Sequence, residues 1–237
     1  MTLPTAARGG EASHIGEERH KEDSVMNDVE TTEAVARFHG HMCPGLAMGI
    51  KAAEIALDRI GPHSADEEVV AIVETDMCGV DAIQFLTGCT FGKGNLIHLD
   101  HGKSVFTFAR RSDRRAIRIG ARPEMWGSRP PEIEELHARV RAGIADDDDR
   151  RRFWSLQQQR SDEIMTRRAD ELYDVRDVDI DIPFPARIMS SIPCESCGEQ
   201  TMETRITLLE GRRLCRPCFA QHQSGRAPVE QPAFVRR

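Results

Sequence analysis

The sequence predicts an α+β protein, in which N-terminal helices pack on a mainly antiparallel sheet and a small zinc-ribbon-like module follows at the C-terminus. Three observations support this prediction. Apolar residues recur at helical spacing over Leu46–Ile60. Short strand-like runs separated by turn residues follow between residues 96 and 121. Two C-x2-C pairs then stand near the C-terminus, a pattern typical of structural zinc sites.

The helices are predicted from apolar spacing and from stop signals. A short helix over Thr32–Phe38 leads into a loop, and Leu46–Ile60 ends at Gly61-Pro62, a strong helix terminator. The acidic run Asp146–Asp149 is predicted to be a solvated turn or a helix start. Three further helices are predicted over Val80–Leu86, Glu132–Ile144 and Arg151–Leu172.

The strands are predicted from compact apolar runs bounded by turn residues. Val69–Glu74 predicts a buried strand, and Val175–Ile182 predicts a last strand that ends at Pro183. Between them we expect an antiparallel meander, which makes the fold α+β. Its three strands are Leu96–Leu99, Ser104–Ala109 and Ala116–Ala121.

A chain of 237 residues can hold one sizeable domain and a small module. Composition and the predicted elements divide it into five parts. These are a disordered extension (1–24), an α+β domain (25–130), a helical connector with a strand (131–190), a four-cysteine zinc module (191–222) and a flexible tail (223–237).

The zinc module is predicted from Cys194, Cys197, Cys215 and Cys218, whose two pairs are separated by 17 residues. Each two-residue spacer lets both sulfurs turn toward one point, and four thiolates suit tetrahedral Zn²⁺. The intervening segment predicts a hairpin with its turn at Glu210-Gly211. Two disulfides are the weaker alternative, because the sequence shows no secretion signal and cytosolic thiols stay reduced.

A second candidate site lies upstream. His39, His41 and Cys43 alternate within five residues, so they point to one side if the segment is extended, and Pro44 favours an extended Cys43. Cys78 follows the end of a predicted strand. Histidine and cysteine that converge in this way predict a second metal site for zinc or another soft metal, whose identity the residues leave open.

The same residues leave other chemistry open. Cys43 at a helix N-terminus could be a nucleophile or a redox thiol, because the helix end favours the thiolate. An open zinc site would use Asp76 or Glu74 as the proton acceptor. The catalytic candidates are therefore Cys43, Cys78 and Asp76. The alternative is that each cysteine is a small core residue.

The glycine-punctuated loop Gly88–Asn95 resembles an anion cradle. Its backbone N–H groups, Lys93 and Asn95 would bind a phosphate or carboxylate of a cofactor. The order GxxxxGK[ST] is absent, so it is not a P-loop. Three glycines are also ordinary turn geometry.

Charge and hydropathy restrict the kinds of partner and the cellular location that we expect. The net charge is −7, which argues against a protein that coats nucleic acid. Residues 187–237 carry eight arginines and five glutamates, and four thiolates with one Zn²⁺ add two negative charges. A protein partner for the zinc module is therefore favoured over nucleic acid. No apolar run is long enough for a membrane span or a signal peptide, so the cytoplasm is the expected location.

At three segments the chain resembles the FmdE family, which takes its name from the E subunit of formylmethanofuran dehydrogenase. These segments are FHGHMCPGLAMG (Phe38–Gly49), ETDMCGVDAIQFLTGCTFGKGNL (Glu74–Leu96) and DHGKSVFTF (Asp100–Phe108). The resemblance runs from about Glu33 to Ala121 and continues through Val175–Arg187 into the zinc module. The module itself resembles the four-cysteine fingers of the DksA/TraR type.

The FmdE resemblance implies an α+β core, a homodimer and a pocket. The pocket residues it implies are His39, His41 and Cys43, with Asp76, Cys78 and Asp81 across from them. The chain shows no cysteine cluster for an iron–sulfur centre and no pterin-binding motif, so its own residues do not make the catalytic component of a formylmethanofuran dehydrogenase. The resemblance alone does not decide whether the chain is an enzyme.

Three functions follow as hypotheses. The first is a metal-binding protein, accessory to or enzymatic in one-carbon or molybdenum/tungsten-linked metabolism, with structural zinc and a second histidine/cysteine site. The second is a dimeric module whose zinc finger binds a partner. The third is a redox protein in which Cys43 forms a reversible disulfide with Cys78 or Cys89.

Overall fold

A computed structural model describes residues 29–126 and 130–224 of the chain. The predicted disordered extension 1–24 and nearly all of the predicted tail 223–237 lie outside the described residues. The chain divides into two compact units, one that ends at Pro185 and one that begins at Ala186. None of the described helices combines the length and the apolar character that crossing a membrane requires.

Three helices of the first unit carry the site. They are α1 (Val29–His39), α2 (Pro44–Arg59) and α3 (Gly79–Thr87). Helix α2 begins where the Cys43 sulfur accepts the Leu46 N–H and where Pro44, which has no N–H to satisfy, occupies the first turn. It ends just before Gly61, whose φ of +144° suits glycine and confirms the predicted stop.

The central sheet is mixed, with five strands in the order β2-β1-β3-β4-β5. The strands are β1 (Val69–Val73), β2 (Leu96–His98), β3 (Val105–Arg110), β4 (Ala116–Ala121) and β5 (Tyr173–Asp177). All neighbouring pairs are antiparallel except β1 and β2, which are parallel. The predicted α+β class with a mainly antiparallel sheet is therefore confirmed.

The predicted meander of three consecutive antiparallel strands is wrong in one respect. β2 does not pair with β3, because β1 lies between them. The connection from β1 to β2 runs through α3, and a helical crossover returns the chain in the same direction and makes the pair parallel. Only β3 and β4 form the expected hairpin.

Three further helices complete the first unit: α4 (Pro131–Arg141), α5 (Asp147–Thr166) and α6 (Ala169–Leu172). The acidic run is the start of α5, where Asp146 and Asp149 form a reciprocal capping box. The single long helix predicted over Arg151–Leu172 is wrong, because Arg167 and Arg168 are extended and separate α5 from α6.

The main core lies between the helices and one face of the sheet. Strands β3 and β4 contribute Phe106, Phe108, Ile117 and Ile119 to it. The Tyr173 hydroxyl, also buried, donates to the Met48 carbonyl oxygen at 2.7 Å and so ties β5 to α2. α4 and α5 share a smaller cluster, formed by Ile133, Leu136, Phe153 and Leu156.

Helices α2 and α3 meet through two glycines. A Cβ atom added to Gly49 would lie 2.2 Å from the Gly79 carbonyl oxygen, closer than any real contact. The two backbones can approach this closely only because Gly49 has no side chain. The contact brings the N-terminal ends of α2 and α3 together, and these ends carry Cys43 and Cys78.

The second unit contains two β-hairpins and a helix. The first hairpin pairs β6 (Ser191–Pro193) with β7 (Gln200–Met202), and the second pairs β8 (Ile206–Leu209) with β9 (Arg212–Cys215). The turn at Glu210-Gly211 is confirmed, and both residues have positive φ. Helix α7 (Arg216–Gln223), which the sequence patterns did not predict, follows the second hairpin.

We expect Gly49→Ala to lower the free energy of unfolding of the first unit by about 3 kcal/mol or more, because the added methyl group must push two helix backbones apart. Urea unfolding followed by circular dichroism measures the change. Gly120→Ala is the control, since its added Cβ would meet no heavy atom within 4 Å. A Gly49→Ala variant as stable as Gly120→Ala would contradict the close helix contact.

Candidate metal centres and cleft

The four cysteines of the second unit converge on one point. The sulfur atoms of Cys194, Cys197, Cys215 and Cys218 all lie within 4.8 Å of one another. A tetrahedral zinc ion with Zn–S bonds of about 2.3 Å places its sulfurs about 3.8 Å apart, and the Cys197 and Cys215 sulfurs are 3.9 Å apart. The donor set and its spacing therefore fit one Zn²⁺.

Backbone N–H groups favour the thiolate form of Cys194, whereas burial and the neighbouring thiols raise the pKa values of Cys197 and Cys215 in the absence of metal. The Cys194 sulfur accepts the N–H of Cys215 at 3.3 Å and that of Ser196 at 3.5 Å. Burial raises the pKa of the Cys194 thiol, but hydrogen bonds from the backbone of Cys197, Cys215 and Ser196 outweigh it and lower the pKa to about 6. A thiol that ionises this readily suits a zinc ligand.

The predicted upstream cluster forms where α1 ends. Gly40, with φ of +104°, turns the chain after His39, and Cys43 is extended, as Pro44 predicts. One ligand atom from each of His39, His41 and Cys43 lies within 4.8 Å of the other two. Two nitrogens and one sulfur at this spacing are a donor set that suits zinc and other soft divalent metals.

A carboxylate orients the first ring of this cluster. His39 Nδ1 lies 2.6 Å from Asp81 Oδ2, in the first turn of α3. A carboxylate only accepts hydrogen bonds, so Nδ1 carries a proton, and in the neutral ring Nε2 presents its lone pair to a metal. Nε2 is buried and has no hydrogen-bond partner among the described residues. Metal-binding histidines are commonly oriented by a carboxylate in this way.

Cys78 lies beside Cys43 but outside the compact cluster. A Cβ atom on Gly45 would lie 3.8 Å from the Cys78 sulfur and 4.0 Å from the Cys43 sulfur, so the two sulfurs flank one point. Burial, together with the charge and hydrogen bonding of Cys43, raises the pKa of the Cys78 thiol to about 11. Cys78 is therefore a neutral thiol near pH 7 when no metal is bound.

A cleft of about 440 Å³ opens next to the cluster. It lies at the carboxyl end of β1 and the start of α3, and His39 and Cys78 line both the cleft and the cysteine/histidine region. Its other lining residues are Val73, Thr75, Asp76, Met77, Val80, Asp81, Gln84, Phe91, Leu96 and His98. This size is in the range of small-molecule sites, which span about 300–1,000 Å³.

The two candidate proton acceptors differ in their surroundings. Asp76 is exposed and lines the cleft. Glu74 is buried, and its carboxylate pairs with Arg118 and accepts from His101 Nδ1 at 3.1 Å. The Arg118 guanidinium, acting against burial and helped by His101, lowers the pKa of Glu74. Glu74 thus links the end of β1 to β4 through Arg118, whereas Asp76 remains accessible to a ligand.

The loop predicted as an anion cradle is held against the chain before β1. Lys93 Nζ donates to the carbonyl oxygens of Ser64 at 2.8 Å and Asp66 at 3.3 Å. Asn95 is fully buried and donates to the Val69 carbonyl oxygen at 2.9 Å. Both side chains therefore stabilise the loop through these contacts.

Cys89 lies apart from the other upstream thiols. It is fully buried in the main core, and its sulfur contacts the Val69 carbonyl oxygen at 3.4 Å. Val69 begins β1, whereas Cys78 follows the other end of that strand. The structure therefore brings Cys43 and Cys78 together and leaves Cys89 as a core residue.

Sequence reasoning missed two aromatic residues near the site. Trp154 of α5 meets His41 edge-on with ring centroids 5.5 Å apart. Phe91, in the glycine-punctuated loop, lies at the cleft with 77% of its surface exposed. An aromatic residue among the glycines of this loop was the available signal for Phe91. No local signal relates Trp154 to a histidine 113 positions earlier.

Two family models match the chain. One, described as "FmdE, Molybdenum formylmethanofuran dehydrogenase operon", matches residues 38–174. The other, described as "Prokaryotic dksA/traR C4-type zinc finger", matches residues 187–223. The first covers the cluster, helices α2 to α6 and strands β1 to β4 of the first unit, and the second covers the four cysteines of the second unit.

One curated relative and one solved structure are similar to the chain. The relative is a "Probable S-adenosyl-L-methionine-binding protein" of Archaeoglobus fulgidus, 35% identical over an alignment of 181 residues that covers 71% of this chain and 48% of the relative. The chain thus spans about half of that protein.

The solved structure is the 1.90 Å crystal structure of an FmdE-like protein of the tungsten formylmethanofuran dehydrogenase type from Syntrophus aciditrophicus. It superposes with a TM-score of 0.56 at 23% identity and covers 87% of this chain and 94% of that chain. At this identity the similarity concerns the fold alone.

We expect Glu74→Gln to lower the free energy of unfolding by about 3 kcal/mol at pH 7, because Arg118 would lose its buried partner. The folded-state pKa of Glu74 lies below its ordinary value of 4.5, so its stabilising contribution is present above that value and is lost as the pH falls through the lowered pKa. Urea unfolding at pH 7 and at pH 3 measures the difference.

Glu132→Gln is the matched control for this measurement. Glu132 pairs with Arg152 on the surface, and such exposed pairs contribute about 0–1 kcal/mol. A Glu74→Gln effect as small as that of Glu132→Gln, or one that does not shrink in acid, would contradict the buried pair.

Proposed function

The chain belongs to the FmdE family and carries a dksA/traR-type C4 zinc finger, and we propose that it binds two metal ions. The first is a structural Zn²⁺ held by the four cysteines of the second unit. The second is held by His39, His41 and Cys43 at the edge of the cleft. One observation carries the second site: His39 Nε2 is buried, has no hydrogen-bond partner among the described residues, and belongs to a ring that Asp81 fixes in place.

The chemistry of the cluster supports a metal more strongly than a packing role. A buried ring nitrogen without a partner costs about 1–3 kcal/mol in a folded protein, so its retention beside a second histidine and a cysteine calls for a compensating ligand. Three protein ligands leave a coordination position open, and a zinc ion bound in this way supplies Lewis acidity and an acidic bound water. Asp81 accepts the hydrogen bond from His39 Nδ1–H, and Asp76 is the accessible carboxylate that can accept a proton from a ligand in the cleft.

The metabolic setting is a proposal from the family. The family description refers to the molybdenum formylmethanofuran dehydrogenase operon, which supports a role in one-carbon or molybdenum/tungsten-linked metabolism. The role is either accessory or enzymatic, and the cleft beside an open metal position is compatible with both. The homodimer, a protein partner for the zinc finger and a cytoplasmic location are further predictions.

We also propose that the cleft is a small-molecule site. The curated relative, of which this chain covers 48%, is named as a probable S-adenosyl-L-methionine-binding protein. The cleft's volume of about 440 Å³ and its position at the carboxyl end of a strand support a ligand of that size. S-adenosyl-L-methionine is therefore the candidate ligand for this site.

A thiol redox role is the second candidate function. It is favoured by the position of Cys43 and Cys78, whose sulfurs flank one point next to Gly45. In that role the two thiols would lose two electrons and two protons to a disulfide oxidant and form one S–S bond. Metal bound to Cys43 would block this reaction. Metal added before the oxidant should therefore prevent the disulfide if Cys43 is a metal ligand, and should leave disulfide formation unchanged if it is not.

Metal content per chain tests the two-metal proposal. We expect protein purified without added metal to contain about two metal ions per chain by elemental analysis. Cys43→Ser should reduce the content to about one, and Cys215→Ser should remove the other ion. Asp81→Asn should weaken the second site by about 10–100-fold, as measured by competition with a chelator, because it frees the His39 ring.

Asp100→Asn is the matched control for Asp81→Asn, since Asp100 is an exposed aspartate outside the cluster and the cleft. It should retain two ions with unchanged affinity. One metal ion per chain in the wild type, or two in Cys43→Ser, would rule out the second site and leave the thiol chemistry as the function of these residues.

A further inference from the structure

The cleft next to the cluster of His39, His41 and Cys43 is acidic. Its twelve lining residues include Asp76 and Asp81 but no lysine or arginine. Both aspartates stand around the start of α3, one before it and one in its first turn. Ligands that carry phosphates or several carboxylates would meet these aspartates with no lysine or arginine to pair with.

Asp76 is the carboxylate available to a ligand. Both oxygens of Asp81 are engaged, by His39 at 2.6 Å and by Gln84 at 3.5 Å. Asp76 is exposed at the cleft and has no hydrogen bond or ion pair with any residue in the described ranges. A ligand cation near Asp76 would gain a charge partner that the protein itself does not supply.

The opening of the cleft also presents an aromatic ring, whose face can attract a cation. Phe91 is 77% exposed and Met77 is 64% exposed, and both line the cleft. The Phe91 N–H donates to Gln84 Oε1 at 3.3 Å, which holds its loop at the cleft. The face of an aromatic ring attracts cations and stacks on flat groups, with about 0.5–2 kcal/mol for each such contact.

Two cations close to the cleft residues are directed elsewhere. Lys93, two residues after Phe91, donates to the carbonyl oxygens of Ser64 and Asp66. Arg118 is paired with the buried Glu74. A divalent ion with the Cys43 thiolate would add one positive charge, and the two aspartates would still leave the site negative.

We propose that the cleft selects an organic cation, a sulfonium or quaternary ammonium group joined to a flat ring system, through Asp76 and Phe91. This inference rests on the proposed small-molecule site and specifies what that site distinguishes. The positive centre lies near Asp76, and the flat ring stacks on Phe91. Uncharged analogues bind more weakly, and polyphosphates are excluded.

Isothermal titration calorimetry with two matched probes tests the selectivity. S-adenosyl-L-methionine carries a sulfonium, whereas S-adenosyl-L-homocysteine lacks only the methyl group and the charge. We expect the wild type to bind the sulfonium about tenfold or more tightly than the thioether. Asp76→Asn should remove most of this preference, and Phe91→Ala should weaken both probes by about the same factor.

Two controls accompany these variants. Asp100→Asn and Phe184→Ala change an exposed aspartate and an 89% exposed phenylalanine outside the cleft, so both should bind like the wild type. Equal affinity for the two probes would overturn the charge selection and leave a small-molecule site in place. Absence of binding to either probe, in protein that holds two metal ions, would overturn the cleft proposal without affecting the metal site.

Discussion

The close crossing of α2 and α3 at Gly49 and Gly79 is the contact on which the first unit depends. A Cβ at Gly49 would fall 2.2 Å from the Gly79 carbonyl oxygen, so the two helices can meet there only through glycine. The crossing places the N-terminal end of each helix at the same point. Cys43 precedes α2 and Cys78 precedes α3, so the two thiols lie side by side, and burial next to Cys43 raises the pKa of Cys78.

The contact between α2 and α3 positions both the cluster and the cleft. Helix α3 carries Asp81 in its first turn, and the crossing brings that carboxylate to His39 at the end of α1. The same helix turn, with the carboxyl end of β1, encloses the cleft. His39 thus belongs to both the cluster and the cleft. Gln84 hydrogen-bonds both Asp81 and the Phe91 N–H, and so connects the partner of His39 to the loop that carries Phe91. The proposed metal site and the proposed ligand site therefore share residues.

Local signals predicted much of this and tertiary contacts account for the rest. Cysteine spacing predicted the zinc module, because its ligands are brought together by short turns, and Pro44 predicted the extended Cys43. The parallel pairing of β2 with β1 follows from the crossover through α3. The sequence pattern of a strand does not indicate which neighbour it pairs with. The Glu74–Arg118 and His39–Asp81 pairs join residues 44 and 42 positions apart, and neither pair has a local signature. Exposure of Phe91 and Asp76 also depends on the folded surface.

The proposed second metal site requires that the unpartnered nitrogen of His39 is a metal ligand, separate from the zinc of the second unit. Anomalous X-ray diffraction at the zinc absorption edge, from crystals of protein purified without added metal, would locate each ion. We predict two anomalous peaks per chain, one among the four cysteine sulfurs and one bonded to His39 Nε2, His41 and Cys43. A single peak in the zinc finger, with His39 Nε2 bonded to water or protein, would contradict the second site.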